Sequence, residues 1–98
     1  MRKQTSKVKI INSLRKYRKI KGLTQREVAK LLGLKSQSQL SRWERGVSLP
    51  STLNLFKLSA LYNTMVDALF IDFLRKLRKE FAKKRSSSRE KESKEELL

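Results

Sequence analysis

The stretch Thr24–Arg45, TQREVAKLLGLKSQSQLSRWER, decides the fold. It opens on a capping box: Thr24 and Glu27 stand three apart, so hydroxyl and carboxylate each satisfy the other residue's backbone amide at a helix start. Val28, Ala29 and Leu32 then recur on one helical face, and Gly33-Leu34 marks the stop. Ser36 is placed to cap a second short helix, Gln37–Arg45, which buries Leu40 and Trp43 and ends at Gly46.

Helices flank this pair on both sides. Ile11 and Leu14 start an apolar stripe whose next helical step is Arg18, and Gly22 closes that helix. Pro50-Ser51 opens another, with Leu55, Leu58, Ser59 and Tyr62 on one face and Asn63 suited to the left-handed residue after its end. From Val66 the apolar residues Leu69, Phe70, Phe73, Leu74, Leu77 and Phe81 follow in steps of three and four without Gly or Pro. One helix of about twenty residues, roughly 30 Å long, is expected there, longer than so small a core can cover. No stretch alternates as a strand would, so the fold class is all-α: five helices with an extended C-terminal helix and a disordered tail. The division is a basic arm over 1–9, a helical domain over 10–70, a helical extension over 71–85 and a charged tail over 86–98, too polar to order itself.

The chain has 98 residues, one small domain's worth, with 25 Lys and Arg against 9 Asp and Glu, a net charge of +16. Residues 1–21 carry nine basic and no acidic side chains, while 22–70 are close to neutral. Such a balance points to a polyanionic partner. With no Cys and no His, zinc sites, disulfides, thiol nucleophiles and imidazole chemistry are excluded, and neither a metal nor a cofactor is expected. Asp67 and Asp72 have no partner base, so no enzyme is expected. No apolar run reaches the roughly 18 residues of a membrane span and no signal-like segment opens the chain, so a cytoplasmic protein without membrane attachment is expected.

Two short helices joined by a glycine-containing turn make a helix-turn-helix layout. With Leu40 facing inward and about 100° per residue, Ser38, Ser41, Arg42 and Arg45 fall on the outer face of the second helix, flanked by Gln37 and Gln39. That face holds neither a carboxylate nor a large apolar residue. Amide side chains pair with adenine, Arg with guanine, and hydroxyls with phosphate or base edges, so the face suits the major groove of double-stranded DNA. A merely solvated face would be the commoner fate of such residues; the capped helix before it and the net charge tip the reading to DNA.

On the segments LRKYRKIKGLTQREVAKLLGL and SQLSRWERGVSLPS and the helix pair after them, the chain resembles the phage Cro and repressor (Xre-like) helix-turn-helix family over about 60 residues, Ile10 to Phe70. The resemblance implies a five-helix domain, base reading by Gln37–Arg45, and dimers on two half-sites of a palindromic operator. It implies that Gln25 clamps a phosphate and braces the reading glutamine, here Gln37, and that backbone amides of Gly46-Val47-Ser48-Leu49 meet phosphate. The function implied is a transcriptional regulator, a repressor. The turn carries one residue more than the commonest family spacing, which leaves open which of Gln37, Ser38 and Gln39 points deepest. Met65 stands where the family often has a Ser cap.

Arg18 on an apolar stripe and Glu44 on the inner side of its helix would each be a costly buried charge alone, so they are expected to pair as a structural brace. Trp43, three residues after Leu40, is expected in the core. Leu74, Leu77 and Phe81 continue the last stripe past the domain and are expected to form a homodimer seam. The alternative reading is an antitoxin that binds its operator and neutralises a toxin, a protein partner, through the C-terminal helix and tail.

Overall fold

Local chemistry accounts for where each helix begins and ends. The computed structural model of the chain describes the backbone of residues 9–97 and the side chains of residues 9–87. Its helices are α1 (Leu14–Ile20), α2 (Gln25–Leu32), α3 (Gln37–Glu44), α4 (Thr52–Tyr62), α5 (Val66–Leu69) and α6 (Ile71–Leu97), with no strand among the described residues. The capping box of α2 is present in both directions: the Glu27 amide donates to Thr24 Oγ1 at 3.1 Å and the Thr24 amide to Glu27 Oε1 at 2.9 Å. Gly33 (φ 77°) closes α2 in the left-handed conformation. Ser51 accepts the Asn54 amide at 3.2 Å to cap α4, and Asn63 (φ 49°) ends that helix.

Leu14, Val28, Leu32, Leu40, Trp43, Leu58, Tyr62, Leu69 and Phe70 form one buried cluster drawn from α1 to α5 and the residue after it. Each large apolar side chain so buried contributes roughly 1.5–3 kcal/mol, which holds five short helices that would be marginal alone. Gly46 (φ 76°) closes the α3 side: a Cβ there would stand 2.6 Å from the Ile10 carbonyl oxygen, and the Ile10 amide donates to the Gly46 carbonyl at 2.9 Å.

Three expectations change. Ile11 is 49% exposed, because α1 begins only at Leu14 and helical spacing does not extend back to it; Ile10 packs on the core instead. Ser36 precedes α3 in extended conformation, but its side chain makes no capping bond. The helix expected to run unbroken from Val66 is interrupted at Phe70 (φ −127°, ψ 31°), so α5 is four residues and α6 is separate. The Leu69 carbonyl accepts the Ser13 amide at 2.8 Å, a long-range bond in place of a helical one. The backbone of α6 is helical from Ile71 to Leu97. Lys, Glu, Arg and Ser without Gly or Pro in the last part of that helix are compatible with helical backbone. The arm over 1–9 lies, save Lys9, outside the described residues. No described helix is long and apolar enough to cross a membrane.

Candidate nucleic-acid interface

The orientation of α3 follows from what it buries. Leu40 is fully buried and Trp43 is 3% exposed, and between them and the next turn the Glu44 side chain is drawn inward. Arg18 of α1 meets it there: Arg18 Nε donates to Glu44 Oε2 at 2.6 Å and Nη2 to Oε1 at 3.2 Å, while Nη1 donates to the Leu23 carbonyl at 2.8 Å. The two side chains are 9% and 3% exposed, so this is a desolvated, forked pair in which the third guanidinium nitrogen is also bonded. The hydrogen bond to Glu44 pushes the Arg18 guanidinium above its ordinary value against the opposing effect of burial, so it stays charged. Beside the pair, the buried Tyr62 hydroxyl has no hydrogen-bond partner among the described residues; burial first, then the Glu44 charge, raises its pKa well above the usual phenol value.

Asn12 ties the chain before α1 to the end of α3. Its side-chain amide donates to the Trp43 and Ile10 carbonyls, both at 2.9 Å, and its oxygen accepts the Leu14 amide at 3.0 Å. Sequence reading passed over Asn12, though an Asn just before a helical stripe is itself a capping signal.

With its inner side so fixed, α3 turns Gln37, Ser38, Gln39, Arg42 and Arg45 to solvent, with Ser41 partly covered. Gln37, Ser41 and Arg45 line one side of an open cleft of about 710 Å³; α1 contributes Arg15 and Lys19 to it, and α2 contributes Gln25 and Arg26. Glu44 is the one acidic residue of that lining, and Arg18 offsets its charge, so Arg15, Lys19, Arg26 and Arg45 leave the cleft basic. A second hollow of about 390 Å³, between α2 and the turn, brings Arg26, Lys30 and Lys35 to the other side of Gln37. Arg15 and Lys19 were not singled out from sequence; their i, i+4 spacing on the side of α1 away from Leu14 was the available signal.

Gln25 departs from the expected brace. Its side-chain amide donates to Glu44 Oε1 at 3.0 Å, not to Gln37, because a carboxylate is the stronger acceptor within reach. Gln25 and Gln37 still face the same cleft. In the loop after α3, Gly46 is buried, whereas Val47 (42%) and Leu49 (50%) are exposed. At the far end, Leu74 and Leu77 are half-buried and Phe81 is 60% exposed.

A basic cleft beside an exposed amide-, hydroxyl- and guanidinium-bearing helix can hold phosphate and present donors and acceptors to base edges. No curated protein matches the chain. A family model described as helix-turn-helix matches residues 14–69, from the first residue of α1 to the last of α5.

Proposed function

The chain belongs to the Xre/Cro-like helix-turn-helix family, and from that premise we propose that it is a sequence-specific regulator of transcription, a repressor, that reads the major groove with α3. The observation that carries this reading is the outer face of α3: Gln37, Ser38, Gln39, Arg42 and Arg45 are exposed, no carboxylate lies among them, and a buried ion pair sets the helix's rotation beneath them. Arg42 and Arg45 are suited to guanine, and Gln37 and Gln39 to adenine. Gln25, Arg15, Lys19 and Arg26, around the cleft, seat the phosphate backbone and so place α3 in register. A repressor then acts by occupancy, with no catalytic step.

A palindromic operator needs two copies of α3, and the stripe Leu74, Leu77 and Phe81 of α6 is the face on which a second copy pairs. Footprinting the purified chain on the DNA flanking its own gene tests the reading. A protected, two-fold symmetric site supports it; uniform, sequence-independent protection contradicts it. Sedimentation of Leu77→Gln with Phe81→Gln should give a folded monomer, whereas an unchanged dimer places the interface elsewhere.

A further inference from the structure

The helix α6 has three faces, and the proposed function uses only the apolar one. Asp72, Lys76 and Glu80 are four apart, and Lys83 and Lys84 stand three and four after Glu80, so that opposite charges adjoin along a mixed face. Arg75, Arg78, Lys79, Ala82, Arg85 and Ser86 follow the same spacing along another, with small residues between the cations and no acid among them. All six are exposed, and the one ion pair along this face among the described residues is at its border, Asp72 to Arg75 at 3.0 Å. Like charges three and four apart weaken a helix, so a face built this way gains when a polyanion lies along it.

The shape of the molecule frees that face. Its radius of gyration is 18.2 Å, against the roughly 12.6 Å of a compact domain of this length, and its longest extent is 62 Å. The helix α6 packs on α5 at its first turns and then carries Arg78 to Arg85, all exposed, clear of the core. We propose that the face Arg75, Arg78, Lys79 and Arg85 of α6 is a second DNA-contacting surface, lying along a phosphate backbone outside the base pairs that α3 reads. It rests on the DNA-binding reading of α3, which holds duplex within reach of α6 and so raises the effective phosphate concentration there. From Arg78 to Arg85 the helix rises about 10 Å, the axial length of roughly three phosphates on one strand. A lipid surface fits less well: insertion would use the apolar stripe, where Leu74 and Leu77 are already half-buried, and would turn the basic face away from the headgroups.

The test is the salt dependence of the full chain on a fluorescein-labelled, mixed-sequence duplex of about 40 bp, followed by anisotropy. The triple variant Arg78→Gln, Lys79→Gln, Arg85→Gln should lower the slope of log K against log salt by about 2–3. The equally neutralising triple Lys76→Gln, Lys83→Gln, Lys84→Gln should change it by less than about 1. Circular dichroism checks that both variants stay helical. Equal slopes in the two variants, or a wild-type slope in the first, overturn the proposal while leaving DNA binding by the domain intact. Failure of the wild-type chain to bind the duplex removes the DNA reading itself, and the proposal with it. A wild-type slope together with loss of flotation on phosphatidylglycerol vesicles assigns the face to lipid instead.

Discussion

Helices α3 and α6 both present polar faces rich in Arg, yet they are held in opposite ways. The shorter, eight residues, is anchored from beneath by Leu40, Trp43 and the Arg18–Glu44 pair, so its rotation about its own axis is set. The longer, 27 residues, is attached at one end and gains little from the core beyond Phe73 and its half-buried neighbours. A face held in one orientation can distinguish bases, because donors and acceptors must meet base edges in fixed geometry. A face that stands clear of the core adds charge without such a fixed register. On the proposed reading, the exposed residues of α3 discriminate only because buried residues beneath them hold the helix in one orientation.

Removing the anchor should have the largest effect. Arg18→Ala strands a buried carboxylate, and an expected loss of about 3–5 kcal/mol should show in chemical denaturation. The double variant Arg18→Met with Glu44→Leu should recover much of that stability, because apolar groups replace both charges. If Arg18→Ala melts like wild type, α3 is held by packing alone and the contrast with α6 loses its electrostatic half.

A smaller effect concerns the helix that supports α3. Thr24→Ala removes the α2 cap and should lower stability by about 1 kcal/mol. Hydrogen bonding by the Thr24 amide, then by its hydroxyl, holds the Glu27 carboxyl below its ordinary value. The sign follows: the Glu27 contribution is present above the ordinary glutamate range and is lost as pH falls through the lowered folded value. The acid limb of the stability profile should therefore be shallower in Glu27→Gln, which removes the titrating group, than in wild type; an identical limb would mean that the box adds nothing in solution.

The smallest change is expected at Tyr62, whose buried hydroxyl is unpartnered beside the anchor. Tyr62→Phe should be neutral or stabilising, within about 1 kcal/mol. A clear destabilisation would show that the hydroxyl belongs to the Arg18–Glu44 network and that the anchor is a triad.

Much of this was legible in the sequence where chemistry is local. The Thr24–Glu27 box, Gly33 and Asn63 mark their ends by capping rules that depend on a few neighbouring residues, and Leu40 and Trp43 by helical spacing. Arg18 stood out as a charge on an apolar stripe, and its meeting with Glu44 followed from desolvation. What was not legible depends on distant chain. The break at Phe70 has no Gly or Pro; it arises from the Ser13 amide reaching the Leu69 carbonyl across the fold. Gln25 donates to Glu44 and not to Gln37 because of where α3 lies against α2, and Asn12 matters for the same reason. The basic cleft joins Arg15 and Lys19 to Arg26 and Arg45 only once α1, α2 and α3 are packed.

Base reading by α3 is tested most directly by competition binding, measuring the ratio of affinity for the footprinted site to that for mixed-sequence duplex in wild type, Gln37→Ala and Gln39→Ala. At least one variant should lose about 1–3 kcal/mol on the site and far less on mixed-sequence DNA, so that the ratio collapses while stability is retained. Wild-type discrimination in both variants would contradict the reading.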